Sequence, residues 1–210
     1  MIVSSYNIGK GLWSKIGAIK NYIESNRIDI LFLREAKIED SAPQIKGYQF
    51  LTEMEEKKVK KIALYVRSQI RCTQVKIQES GLAPHIVLNL ATMTIVGIYN
   101  EFTADSYTTD RRKQSKKEMS LKFRETVQLI ESTPTISKRV LLLGDINLNW
   151  VSNEEGIRSW AEEKNYSQKV EEKTRGKSIL DHVYGKNMSL PKGQVIEAFL
   201  SDHKGVVIKV

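Results

Sequence analysis

One cysteine, Cys72, is all that the 210 residues contain, and a lone thiol can build neither an internal disulfide framework nor a cysteine-rich zinc site. Free cysteine is among the more often buried side chains, so Cys72 reads as a small core residue of a protein in a reducing compartment. Long apolar runs are missing too. No stretch approaches the ~20 residues that a membrane span needs, and the opening "MIVSSYNIGKG" lacks the basic-then-apolar order of a secretion signal. The expectation is a soluble, intracellular protein. Repeats and low-complexity tracts are absent, and no shift in composition divides the chain, so residues 1–210 are read as one domain with room for one large core. Acids are in the minority, 25 against 33 lysines and arginines, for a net charge of +8. That excess favours a polyanionic partner, either nucleic acid or an acidic membrane surface.

What is present is an alternation of short β-branched runs with amphipathic stretches. "IVSSYN" reads as a first strand, Ile16, Ile19 and Ile23 recur at helical spacing through "WSKIGAIKNYIESN", and "DILFL" is a second strand. "YQFLT", "KIALYVR", "CTQVKIQE", "HIVLNLA" and "TIVGIYN" follow with no helix between them, as consecutive antiparallel strands would. Met119, Phe123, Val127 and Ile130 mark a longer helix, "RVLLLGD" a buried strand, and Ile157, Trp160 and Ala161 a further helix. "SILDHVYG", "QVIEAFL" and "GVVIKV" close the chain as strands. The coarse architecture is an α/β sandwich of mixed sheets covered by helices.

Polar residues gather at the ends of those strands: Asn7 after the first, Glu35 after the second, Tyr99 closing "TIVGIY", Asp145 and Asn147 in "LLLGDINLNW", Asp202 and His203 before the last. Singly, an Asn after a strand is a turn former, and "GD" or "SD" a loop signal. Together they lie along the rim where α/β folds bring distant side chains into one place.

"SYNIGKG", "LFLREAK", "LLLGDINLN", "TRGKSILDHVYG" and "SDHKGVV", in that order, resemble the endonuclease/exonuclease/phosphatase superfamily, and more narrowly the apurinic-endonuclease-like domain of non-LTR retrotransposons. The resemblance implies a DNase I-like, four-layer α/β sandwich of two packed mixed sheets flanked by helices, and phosphodiester hydrolysis with Mg²⁺ or Mn²⁺. It makes Glu35 the chief metal ligand with Asn7 and Asp202 nearby, and Asp145 the group that orients and deprotonates water. Asn147 and Tyr99 would donate hydrogen bonds to phosphate oxygens, and His203, oriented by Asp181, would touch the scissile phosphate. The division of base and ligand roles stays open. Such residue types suit the chemistry, because a hard cation takes oxygen ligands and hydrolysis needs an activated water and a stabilised leaving oxygen. Two departures stand out: Arg34 where many relatives have Gln, and Asn100 where many have Arg after the tyrosine. His85 and His182 match no catalytic position and read as structural or surface residues.

Of the basic stretches, "EEKKVKK" reads as a solvated hairpin tip. "TTDRRKQSKK" either contacts DNA phosphates through Arg111, Arg112, Lys113, Lys116 and Lys117, or is an ordinary charged loop and helix start. The resulting expectation is an endonuclease that nicks double-stranded DNA to leave a 3′-hydroxyl primer for the reverse transcriptase domain of the same element. It would be synthesised in the cytoplasm, act in the nucleus, be monomeric as an isolated domain and need no membrane. A lipid or sugar-phosphate phosphatase of the superfamily and a non-catalytic DNA-docking module are the alternatives.

Overall fold

A computed structural model describes residues 1–39, 41–54, 59–77, 79, 81–101, 109–197 and 200–210, with 109–114 described as backbone only. The chain runs β1 (Ile2–Asn7), α1 (Leu12–Ser25), β2 (Ile30–Ile38), β3 (Tyr48–Thr52), β4 (Lys60–Arg67), β5 (Thr73–Val75), β6 (His85–Asn89) and β7 (Thr94–Tyr99). It continues with α2 (Thr109–Ser132), β8 (Val140–Asp145), a 3₁₀ turn at Glu154–Gly156, α3 (Ile157–Glu163), β9 (Ser167–Gln168), β10 (Asp181–Lys186), β11 (Gln194–Ile196) and β12 (Gly205–Lys209). The first sheet has the order β11-β12-β1-β2-β4-β3 and the second β5-β6-β7-β8-β10-β9. Both are mixed: β1 and β2 are parallel, as are β7 and β8, and the remaining pairs are antiparallel.

Alternation along the strands explains the layering. Val3 of β1, Ile30 and Phe32 of β2, Ile95 of β7, Leu141 and Leu143 of β8 and Val183 of β10 share one core cluster between the sheets. Their neighbours face outward, since a strand's side chains alternate with period two. Leu31 and Leu33 meet Ile19 and Ile23 of α1, while Val140 and Leu142 meet Phe123 and Val127 of α2 and Trp160 of α3. The result is the expected four-layer α/β sandwich. Fit between the sheets is tight at Gly97, where a Cβ would come within 2.1 Å of the Phe32 ring. Cutting Leu141 or Leu143 to Ala in this core costs about 2–5 kcal/mol.

Three differences from the expected elements have physical causes. The run from "YQFLT" to "TIVGIYN" is not one antiparallel series: β3 and β4 pair in the first sheet, and the chain then crosses to β5, β6 and β7 in the second, a change of sheet that periodicity does not encode. α2 begins ten residues before Met119, its polar first turns lacking the apolar spacing that marks its second half. β9 is only Ser167–Gln168, too short for an alternation signal. Residues 55–58 of "EEKKVKK" lie outside the described residues, but its flanks form the β3–β4 hairpin. Cys72 is half-buried at the border of the inter-sheet core.

Candidate active site

The inward face of each strand runs on to its end. Continuing with period two from the inter-sheet core, it reaches Asn7 in β1, Arg34 in β2, Tyr99 in β7, Asp145 in β8 and Asp181 in β10. Strand register sets them side by side, Asn7 opposite Arg34 and Asp145 flanked by Tyr99 and Asp181. Apolar packing thus aims a row of polar side chains at one rim of the sandwich. Glu35 joins by a different route. The register of β2 slips between Arg34 and Ile38, and Glu35 takes a φ of 55°, a bulge that re-aims one side chain in a conformation that side chains other than glycine seldom adopt.

Hydrogen bonds join the two sheets at this rim. The buried Asn7 donates from Nδ2 to Glu35 Oε1 at 2.9 Å and to Asp145 Oδ2 at 2.8 Å, while its Oδ1 accepts the Gly9 N–H at 3.0 Å. The Tyr99 hydroxyl donates to the same Glu35 Oε1 at 3.1 Å. Asp145 Oδ1 accepts the backbone N–H of Asn147 at 3.1 Å. Asn147 and Asn100 clasp each other's loop: Asn147 Nδ2 donates to the Asn100 carbonyl at 3.0 Å, and Asn100 Nδ2 to the Ile146 carbonyl at 2.9 Å. His203 lies with Nδ1 2.7 Å from Asp181 Oδ2 and Nε2 3.8 Å from Asp145 Oδ2.

Burial sets the proton affinities. Asp145 is 1% exposed; loss of water and the nearby charge of Asp181 push its carboxyl up to about 6, against the pull of His203, Asn7 and Arg34. Burial works to lower the His203 imidazole, but its hydrogen bond to Asp181 and the charges of Asp181 and Asp145 win, so its affinity is raised. The Tyr99 phenol is raised by burial first and then by the charge of Glu35, which keeps it protonated and able to donate.

Other expected residues stand elsewhere. Asp202 is exposed and held by Arg175, whose Nε lies 2.7 Å from Oδ2, so its side chain is not part of the bonded group. Lys116 reaches the Asn147 carbonyl and, at 3.1 Å, Glu154 Oε2, tying α2 to the loop after β8. Lys117 is exposed on α2. The side chains of Arg111, Arg112 and Lys113 lie outside the described residues; their backbone belongs to α2. His182 is wholly buried, its Nε2 2.9 Å from the Leu148 carbonyl, and burial drives its affinity down to about 4. His85 is also buried, its Nδ1 2.8 Å from the Ala83 carbonyl. Both fit structural roles.

Two hydroxyl residues inside the motifs, Thr174 and Ser201, support the site without touching its carboxylates. Thr174 Oγ1 accepts the N–H groups of Leu180 and Asp181 at 3.0 and 3.1 Å, fixing the start of β10. Ser201 Oγ accepts the His203 N–H at 3.1 Å and donates to the Asn7 carbonyl. Hydroxyl residues flanking an acid or histidine were the available signal.

The donor set suits a hard divalent cation. Carboxylate oxygens predominate, and both hydrogen bonds to Glu35 fall on Oε1, leaving Oε2 of this half-exposed side chain without a hydrogen-bond partner among the described residues. Asp145, Asp181 and His203 also offer ligand atoms within 4.8 Å of one another.

No protein-family model matches the sequence, and no curated protein matches it. Solved structures do. The 3′-5′ exonuclease NExo of Neisseria meningitidis superposes with a TM-score of 0.67 at 16% identity, over 100% of this chain and 99% of that one. The fold is DNase I-like. An endonuclease/exonuclease/phosphatase family protein of Bacteroides thetaiotaomicron shares it, with a TM-score of 0.63, 12% identity and coverage of 99% and 93%. So does the mannosyl-6-phosphatase Bt3783 of the same organism, with a TM-score of 0.66, 12% identity and coverage of 100% and 98%.

Proposed function

We propose that the protein is a divalent-metal-dependent phosphodiesterase that nicks DNA. One observation carries this reading: a buried Asp145 with its carboxyl raised to about 6 is bonded through Asn7 to a half-exposed Glu35 and stands beside a His203–Asp181 pair. A carboxylate tuned toward neutral pH is suited to take a proton from water. His203, held by Asp181, is suited to donate from Nε2 to a phosphate oxygen, with Asn147 beside Asp145 to help position it, while the neutral Tyr99 gives its O–H to Glu35 and would reach phosphate only by releasing that bond. Glu35 would hold Mg²⁺ or Mn²⁺ through Oε2, with Asn7 fixing the carboxylate; such an ion supplies charge stabilisation for the phosphate and the departing oxygen.

For DNA as substrate, the support is the net charge of +8 and the fold shared with NExo, one structure of which, titled a 3′ phosphatase, is bound to a product DNA hairpin. The five ordered motifs support the finer reading. In it, this is the endonuclease domain of a non-LTR retrotransposon, acting in the nucleus to leave a primer for the reverse transcriptase domain of the same element. Water directed by Asp145 attacks phosphorus in line with the 3′ oxygen, which leaves as an alcohol, so the ends are 3′-hydroxyl and 5′-phosphate. The fold shared with Bt3783 favours a phosphatase as the second reading.

The test is to nick supercoiled plasmid with the protein and Mg²⁺, remove the protein, and add a DNA polymerase with labelled nucleotide. Label incorporated directly at the nick is the expected result. Nicks extendable only after 3′-phosphatase treatment contradict the polarity, and intact plasmid alongside hydrolysis of phosphate monoesters establishes the phosphatase reading instead.

A further inference from the structure

Arg34 is the largest of the fully buried side chains among the described residues, at 0% exposure, and the hydrolytic roles above make no use of it. Its Nη2 donates to Ser5 Oγ and lies 3.9 Å from Asp181 Oδ1. Among the described residues, Nε and Nη1 have no hydrogen-bond partner, and neither has Asp181 Oδ1. A guanidinium stripped of water with two nitrogens unpaired persists only where fixed negative charge faces it. Burial lowers the proton affinity of Arg34, and the charges of Asp181 and Asp145 oppose that loss. A guanidinium starts from so high a proton affinity that it stays charged despite this lowering, so Arg34 is a cation built into the floor of the site.

Its position bears on the trio Asp145, Asp181 and His203, whose ligand atoms are close enough to suggest a metal. Three of their four carboxylate oxygens are engaged in hydrogen bonds, and the fourth, Asp181 Oδ1, faces only the charge of Arg34. Asp181 turns Oδ2 to His203 and Oδ1 toward Arg34; Asp145 gives Oδ2 to Asn7 and Oδ1 to the Asn147 N–H. We propose that Arg34 is the trio's resident counter-cation, excluding a divalent ion from Asp145, Asp181 and His203 and limiting the site to one ion, at Glu35. A second divalent ion there would meet like charge with no water between to screen it. In this view Arg34 is a positioning residue: it holds Asp181 toward His203 by charge, and so keeps the proton-handling side of the site separate from the cation-holding side. The inference rests on Glu35 as the cation holder, and its test separates the two ideas.

Mn²⁺ is titrated into the whole protein, and bound ions per chain are counted from the free-ion electron paramagnetic resonance signal, with circular dichroism confirming that each variant is folded. The wild type is expected to bind one ion. Glu35→Gln loses it, while Asp181→Asn keeps it. Arg34→Met and Arg34→Gln bind a second ion, and Arg34→Lys, which restores the charge, returns to one. Two ions in the wild type, or one ion still in folded Arg34→Met and Arg34→Gln, overturn the role of Arg34 while leaving Glu35 as a cation holder. No ion in the wild type overturns the metal reading and this inference together. Should both neutral variants fail to fold, the acids decide: Asp181→Asn losing the ion while Glu35→Gln retains it overturns the proposal, and the reverse supports it.

Discussion

β1-α1-β2 and β7-α2-β8 are built alike, each a parallel strand pair bridged by a helix packed on the outer face of its sheet, yet they deliver their carboxylates differently. β8 stays regular through Asp145, packed so closely on its neighbour that a Cβ on Gly144 would stand 1.9 Å from the Ile98 carbonyl oxygen; Asp145 is buried as a consequence. β2 breaks at Glu35, and its bulge lifts that side chain partly into solvent. One scaffold used twice thus produces a dry carboxyl with raised proton affinity and a wet carboxylate with an oxygen to spare. On the proposed function, proton handling and cation holding would be divided between the two units.

The largest effect that tests this division is chemical. Asp145→Asn should slow Mg²⁺-dependent plasmid nicking by ~10²–10⁴-fold while still binding Mn²⁺, whereas Glu35→Gln should lose nicking together with the ion. Equal loss of metal binding in both variants merges the two roles. Next comes pH. The Asp145 carboxyl at about 6 lies above its ordinary 3.8, so the folded state holds that proton more tightly than the unfolded chain. The stability it lends is complete below pH 3.8 and is lost as pH rises through about 6. Asp145→Asn has no such proton to lose. In EDTA its stability relative to wild type should therefore climb between pH 4 and 7 by roughly 2 kcal/mol; parallel curves from urea denaturation would refute the raised affinity.

Gly144→Ala should cost about 1–3 kcal/mol or more in urea unfolding, because the obstacle is strand backbone rather than a movable side chain. A neutral result would mean that β8 relaxes easily away from β7. The smallest effect separates two adjacent lysines. Lys116 is engaged by the Asn147 carbonyl and Glu154, while Lys117 is exposed. Lys117→Ala should reduce the salt dependence of DNA binding by about one unit of slope, and Lys116→Ala by less. Equal slopes for the wild type and both variants would remove α2 from the DNA surface.

Much of this comparison was legible beforehand, because strand alternation is local. Val3 and Phe32 inward, Leu31 and Leu33 outward, and polar residues at the strand ends can all be read from period two, and the motif order named the residues that the fold brings together. What stayed hidden depends on geometry between distant segments. Nothing local marks the change of sheet between β4 and β5. The bulge at Glu35 follows from pairing with β4, and Asp202 turns to Arg175 because a loop elsewhere supplies that cation. Arg34 stood out in the sequence only as a departure from the pattern the motifs resemble, and its burial beneath two aspartates emerges only when the sheets close. Thr174 and Ser201 were in view within motifs; their work, accepting backbone N–H groups beside Asp181 and His203, depends on loop conformation.

The most direct measurement is the conversion of supercoiled plasmid to open circles by wild type and Asp145→Asn, each with Mg²⁺ and with EDTA. A divalent-metal nuclease with its proton acceptor at Asp145 predicts open circles only for wild type with Mg²⁺, and at least ~10²-fold slower conversion by the variant. Nicking that survives EDTA, or that Asp145→Asn performs at the wild-type rate, would contradict it.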